Sequence, residues 1–275
     1  TLAANTTNGT HVAIGYAALE NNTTGTCNTA VGYQGLRANT TGADNVSMGV
    51  NALLANTTGG QNTAIGRDCL EANTTANYNT GLGYKALSLN TTGSENTAVG
   101  RNALTANTTG TDNTAVGMGA LQSNTTASNN TGIGENALRD NTTGTYNTSV
   151  GANSLQTTTT GAQNVAVGSG ALFLLSTGNY NTAVGHAALE SNTADANTAV
   201  GQGALYANTT GTCNTAVGDR CLDAATTADD NTAVGFKALT SCTTGGYNTA
   251  VGRDCSYSNT TGAYNVAVGN NALYT

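Results

Sequence analysis

Residues 28–32 read Asn-Thr-Ala-Val-Gly, and the chain contains sixteen copies of this pentapeptide with small changes. Its first residue is Asn in every copy except the first, where His11 stands. Fourteen of the fifteen spacings between copies are 17 residues and one is 16. A fixed short period identifies a repeat architecture and takes precedence over local secondary-structure preferences.

The composition excludes several classes of protein. Hydrophobic residues make up 38% of the 275 residues, with two Phe and no Trp or Pro, which is a thin supply for a globular core. A net charge of −7 with eight scattered basic residues argues against a nucleic-acid-binding surface. No apolar run approaches membrane-spanning length. The repeats run to both termini, so we expect residues 1–275 to be one repeat array and a segment of a longer fibre.

Each repeat has fixed and variable positions. With the Asn as slot 1, one unit reads N-T-A-V-G-x-x-A-L-x-x-N-T-T-G-x-x, as in residues 28–44. Slot 5 is Gly in all sixteen copies, slot 4 is always Val, Ile, Leu or Met, and slot 9 is Leu in fifteen. Slots 3 and 8 hold small residues. Slots 6, 7, 10, 11, 16 and 17 vary and carry most of the charge.

The repeat predicts an all-β fold. Seventeen residues are too few for a helical-hairpin repeat, and Gly with β-branched Val and Thr disfavours helix. We therefore predict a β-solenoid, or β-roll, of about sixteen coils. Each coil would contain two short strands, one of them four to six residues long, with coils stacked about 4.8 Å apart.

Two invariant columns have structural roles in such a coil. Slot 5 predicts a bend that needs positive φ or close approach between coils, as at Gly32, Gly49, Gly66, Gly83 and Gly100. Slot 1 predicts a ladder of stacked side-chain amides. The ladder would include Asn28, Asn45, Asn62, Asn79, Asn96 and Asn113.

The pairing of small and large columns suggests an interface between chains. Neighbouring strand residues face opposite sides, so slots 3 and 4 cannot both face the coil's own core, and the same argument applies to slots 8 and 9. One side would form the core and the other would contact another chain. A parallel homotrimer with a shared core satisfies this pattern. The alternative is a tightly stacked monomer in which Ala is simply favoured.

The N-T-T sequence at slot 12 matches a glycosylation acceptor. Candidate acceptors are Asn22, Asn39, Asn56, Asn73, Asn90, Asn107, Asn124, Asn141, Asn208 and Asn259. One sugar per coil would form a ridge along the solenoid. The alternative is a second amide ladder or Asx turn, which would bury these side chains.

The sequence contains no recognisable arrangement of catalytic or metal-binding residues. His11 and His186 have no neighbouring acid or nucleophile, and no calcium loop, zinc spacing or phosphate-binding loop occurs. We therefore expect no enzyme activity, metal or cofactor. Of the six cysteines, no two share a slot in adjacent coils, which excludes simple intrachain ladder disulfides. Cys242 could bridge Cys221 or Cys255 only if its turn folds back.

The motif N-T-A-V-G-x-x-A-L, as in residues 96–104 and 113–121, resembles the head repeats of YadA-like trimeric autotransporter adhesins and of phage tail fibres. The resemblance covers nearly the whole chain and implies a β-roll in a parallel trimer, displayed on a cell surface or virion. The period of 17 is longer than the unit usual in such heads, and no stalk is visible.

The sequence thus favours an extracellular structural or adhesive fibre module that associates with itself, inserts into no membrane and binds no nucleic acid. Surface binding would use variable slots, including Tyr16, Tyr33 and Tyr84. Slot 17 adds Tyr78, Tyr146, Tyr180, Tyr247 and Tyr264. The alternative function is ice binding through the Thr columns at slots 2, 13 and 14.

Overall fold

The computed structural model describes residues 2–6 and 9–274, where the regular secondary structure is one three-residue strand per repeat and no helix. The chain divides into two compact units, Thr1–Thr143 and Gly144–Thr275. In both units the strands are parallel and occupy slots 2 to 4. No helix long and apolar enough to cross a membrane occurs among these residues.

The first unit contains eight strands, each paired in parallel with the next along the chain. Their bounds are β1 Val12–Ile14, β2 Thr29–Val31, β3 Val46–Met48, β4 Thr63–Ile65, β5 Thr80–Leu82, β6 Thr97–Val99, β7 Thr114–Val116 and β8 Thr131–Ile133. Identical slots are partners, as in Ala98 opposite Ala115, so each column of the sequence is a column in space.

The second unit has the same construction. Its strands are β9 Thr148–Val150, β10 Val165–Val167, β11 Thr182–Val184, β12 Thr198–Val200, β13 Thr215–Val217, β14 Thr232–Val234, β15 Thr249–Val251 and β16 Val266–Val268. The 16-residue repeat keeps this register, because Thr182 pairs with Thr198 and Val184 with Val200. Each unit is a parallel β-solenoid, which confirms the predicted fold class.

The predicted second strand is wrong, as is the predicted strand length of four to six residues. Slots 6 to 11 form turns, although their backbone still bonds from coil to coil: the Leu70 N–H donates to the Ala86 carbonyl at 3.0 Å. The cause is a set of left-handed residues at slots 7 and 9. Slot 9 has a φ of 48–54° in every repeat, and this conformation cannot continue a strand.

The glycine at slot 5 ends each strand. All sixteen have φ between 125° and 140°, a region that essentially only glycine adopts. The stack imposes a second requirement. A Cβ on Gly66 would collide with the backbone carbonyl of Gly83 in the next coil, so the coil spacing itself excludes a side chain here.

Small and large residues share the core of each coil. Slot 3 points inward from the strand, and Ala98, Ala115 and Ala183 have no exposed surface. Slots 8 and 9 both point inward, as at Ala103 and Leu104. The prediction that one of these two columns faces another chain is therefore wrong. Slot 9 escapes the alternation rule because its left-handed backbone is not a strand.

Candidate interaction surfaces

The outward side chains of slots 2 and 4 form a strip along each sheet, which we call the sheet face. Slot 4 lies exposed or half-buried on it, with 45% exposure for Leu82, 39% for Ile133 and 37% for Val217. Slot 2 beside it is Thr in twelve repeats and Val in four. Thus the large column of the A-V pair faces outward, and the small column is buried in the chain's own core.

The sheet face contains no charged residue. Slots 2 and 4 hold only Thr, Val, Ile, Leu and Met in all sixteen repeats, although the chain has 23 Lys, Arg, Asp and Glu residues. Those charges lie on the turns. An exposed strip that contains aliphatic side chains and no charge is a candidate contact surface for a partner. The sequence predicted slot 2 as a Thr column and slot 4 as a large aliphatic column, but the two were not combined in one face, although residues two apart on a strand lie on the same side.

The slot-1 asparagines form a buried amide ladder. Asn45 donates to the Asn28 Oδ1 from its backbone N–H at 3.0 Å and from Nδ2 at 3.2 Å. Its Nδ2 also donates to the Gly59 carbonyl at 2.9 Å, which ties the strand to the slot-15 turn of its own coil. At the exceptional His11, Nδ1 accepts the Asn28 N–H at 3.4 Å and so replaces the amide oxygen.

The candidate glycosylation asparagines other than Asn259 are buried and belong to a second amide ladder, whereas Asn259 is half-buried and lies beyond it. The Asn39 Nδ2 donates to the Asn22 Oδ1 at 2.7 Å and to the Gly42 carbonyl at 2.9 Å. Asn28 donates to that same carbonyl, so both ladders fix one turn. With the side chain fully buried and both amide hydrogens used, a sugar on this nitrogen requires the ladder to open. The structure therefore favours the ladder interpretation, and glycosylation stays a prediction.

The Thr columns differ in the availability of their hydroxyls. Slot-13 hydroxyls are used within the stack, since Thr40 Oγ1 donates to the Thr57 carbonyl at 3.0 Å and Thr57 Oγ1 to the Thr74 carbonyl at 3.0 Å. Slot 14 is exposed but lies on a turn, as at Thr41. Only slot 2 lies beside a second column on a sheet, so the three predicted Thr columns do not form one face.

Four of the eight predicted tyrosines stack in two pairs on the turns. Tyr16 and Tyr33 have ring centroids 5.2 Å apart, and those of Tyr247 and Tyr264 are 4.9 Å apart. The Asp230 carboxylate beside Tyr247 raises the pKa of that phenol. In each pair one face of each ring is covered by the other ring, so a partner would meet the outer faces, the edges and the hydroxyl groups.

Four cysteines are buried and two are exposed, and all six are free thiols. Burial raises the pKa of Cys69 and of Cys221 to about 12. The Cys242 Sγ lies 3.2 Å from the Gly245 carbonyl, where the slot-12 asparagine would donate. The bridge to Cys221 or Cys255, which the sequence allowed only if this turn folds back, is absent from the structure. Within residues 2–6 and 9–274, no three His, Cys, Asp or Glu side chains cluster as metal ligands.

No protein-family model, curated protein or solved structure matched this chain in the three comparisons. What these surfaces do must therefore be inferred from their own geometry and chemistry.

Proposed function

We propose that this protein is a structural and adhesive fibre module, extracellular on a cell surface or virion, that associates with itself through its sheet face. The supporting observation is the exposed, uncharged strip of Thr and aliphatic side chains along each unit. A partner that covers this strip would gain a free energy of about 25 cal/mol for each Å² of apolar surface removed from water. Catalysis is no part of this proposal.

A second copy is the occupant that matches the strip best. The side chains repeat at the coil spacing of about 4.8 Å, so only a partner with the same spacing meets every rank equally. A parallel copy in axial register has that spacing. Each unit offers one narrow strip, about two residues across, and three such strips from three chains facing a common axis would bury one another. The proposed assembly is therefore a parallel homotrimer, which also agrees with the resemblance to trimeric adhesin heads.

The mass of the native particle tests this assembly. We expect three times 27.3 kDa by light scattering or native mass spectrometry. The variant Leu82→Lys/Ile133→Lys places two charges on the sheet face and should reduce the mass to one chain. A matched control, Gln34→Lys/Gln122→Lys, adds the same charge on the turns. A monomeric or dimeric wild type would refute the trimer, and equal behaviour of the two variants would refute the sheet face as its interface.

Ice binding is a second candidate, favoured by one specific observation. Slot 2 supplies a Thr hydroxyl and methyl in twelve repeats, and slot 4 supplies an aliphatic group about 6.6 Å away on the same face. Regular ranks of this kind could order water. The two functions compete for one surface, because a trimer would cover it. Thermal hysteresis in a monomeric sample would support ice binding, whereas a sample without hysteresis would eliminate it.

A further inference from the structure

On the turns of the second unit, the slot-7 column has large side chains in most repeats but lacks them in three consecutive ones. Slot 7 holds the small residues Gly170, Ala187 and Gly203 in three consecutive repeats. The next two repeats carry Arg220 and Lys237 there. All five residues have left-handed φ, between 52° and 68°. The backbone therefore accepts long side chains at this slot, and its conformation does not explain the glycines.

The space around these glycines does differ from that around a slot-7 glycine elsewhere in the chain. A Cβ on Gly170 would have no atom within 4 Å, and one on Gly203 would meet only the Arg220 Cγ at 3.8 Å. Gly119 in the first unit is the contrast, because the amide oxygens of Asn136 and Gln122 occupy the corresponding space at 2.8 and 3.3 Å. The small residues of the second unit thus form the floor of an open groove.

The groove has a mixed lining. A cavity of about 280 Å³ lies over Ala187 and Gly203, with Tyr206, Arg220 and Asp223 among the residues around it. His186 and Gln202 complete the lining. An adjoining cavity of about 220 Å³ also contains His186 and Ala187. Its lining adds an aromatic ring from Phe173 and a carboxylate from Glu190.

The polar groups of this groove are complementary in type. The Asp223 Oδ1 accepts the Thr240 hydroxyl at 2.6 Å, which orients its carboxylate. Among the described residues, no carboxylate oxygen lies within 4.0 Å of the Arg220 guanidinium. Arg220 therefore offers a set of N–H donors, Asp223 offers acceptors, and Tyr206, 44% exposed, offers a ring.

We propose that this groove binds a saccharide unit of a surface glycan. A sugar has hydroxyl groups that both donate and accept, which suits Arg220 and Asp223, and an apolar C–H face that suits the Tyr206 ring. A phosphate or sulfate group is disfavoured because Asp223 and Glu190 lie in the lining. This inference rests on the proposed adhesive function and names its ligand class.

Filling the groove provides the test. Gly203→Asn adds a side chain that slot 7 accepts elsewhere, as at Asn102 with φ of 58°, so the fold should persist. Tyr206→Ala removes the ring. Gly119→Asn is the control, the same substitution at the same slot outside the groove, where the ends of the flexible Asn136 and Gln122 side chains have to move aside. Each protein is applied to a printed glycan array, and binding is then titrated by ligand-observed NMR with the methyl glycoside of the best-bound terminal sugar.

We expect wild type and Gly119→Asn to bind one group of glycans with a shared terminal sugar. Gly203→Asn and Tyr206→Ala should each weaken binding at least tenfold. A wild type that binds no glycan, or binding that both groove variants leave unchanged, would overturn the proposal. The native mass of every variant is measured in parallel. A trimer without glycan binding refutes only the groove, whereas a monomer that binds glycan refutes only the assembly.

Discussion

The pairs Ala98-Val99 and Ala103-Leu104 belong to one coil and look alike in sequence, a small residue followed by a large aliphatic one. In the structure the two large residues have opposite environments. Val99 lies on the sheet face, whereas Leu104 is fully buried. The first pair lies in a strand, where neighbours alternate. In the second, Leu104 has a φ of 50°, and this left-handed turn directs both side chains into the core.

The difference shows that alternation applies only where the backbone is extended. The sheet side of the coil separates an inner column from an outer one and so creates a surface for a partner. The turn side places Ala and Leu in the interior and leaves slots 6, 7 and 10 for variable residues. Assembly and ligand recognition can therefore be proposed for different sides of the same coil.

The largest effect should come from truncating the buried large residue, and truncation of the outward one provides the comparison. Leu104→Ala should lower the free energy of unfolding by about 2–5 kcal/mol, because it leaves a cavity in a fully buried column. Val99→Ala should cost less than about 1 kcal/mol, since its side chain is already partly in water. Both are measured by denaturant unfolding in the Leu82→Lys/Ile133→Lys background, so that self-association does not contribute. Equal costs would contradict the placement of Val99 on the sheet face and of Leu104 in the core.

Much of this coil could be predicted from the sequence, but the inward turn at slot 9 could not. The period, the slot-1 amides such as Asn45 and the glycine bends such as Gly66 were predictable, because each column has one chemical reason. The inward turn of Leu104 was not, because leucine rarely adopts left-handed φ and nothing in its neighbours signals it. The groove also has a signal in the sequence: Gly170, Ala187 and Gly203 are small residues in a slot that is Asn, Asp, Gln, Lys or Arg in eleven of the sixteen repeats.

An intermediate effect should come from repairing the slot-12 ladder on the turn side. The ladder stops after Asn208, because the next two repeats carry Ala225 and Cys242 in this slot. No donor in the described part of the chain reaches the buried Asn208 Oδ1. An unsatisfied buried acceptor costs about 1–3 kcal/mol. The double variant Ala225→Asn/Cys242→Asn should extend the ladder to Asn259 and recover stability of that order.

The single variants provide the control for this repair. Ala225→Asn would satisfy Asn208 but leave its own oxygen opposite the Cys242 thiol, so the unsatisfied acceptor only moves one coil along. We therefore expect a small gain from the single variant and a larger, non-additive gain from the double one, measured as midpoints of denaturant unfolding. A repeat with Ala instead of Gly at slot 15 still has room for the slot-12 asparagine, since Asn73 makes the same bonds beside Ala76. A destabilised double variant would show that the ladder is not a source of stability.

The smallest effect concerns the reactivity of the cysteine thiols. It distinguishes thiols that point into the core from those that point outward, and it does not require a change in stability. Cys27 and Cys213 are exposed at slot 17, whereas slot 8 buries three further thiols and slot 12 buries Cys242. The thiolate is the reactive form, and burial keeps Cys69 and Cys221 protonated with pKa values of about 12. At pH 8, an aromatic disulfide reagent should therefore modify two thiols rapidly, and all six only after denaturation. The variant Cys27→Ala/Cys213→Ala should lose the rapid phase. Rapid modification of four or more thiols would mean that the small slot-8 column faces outward, where the initial interface hypothesis allowed it to lie.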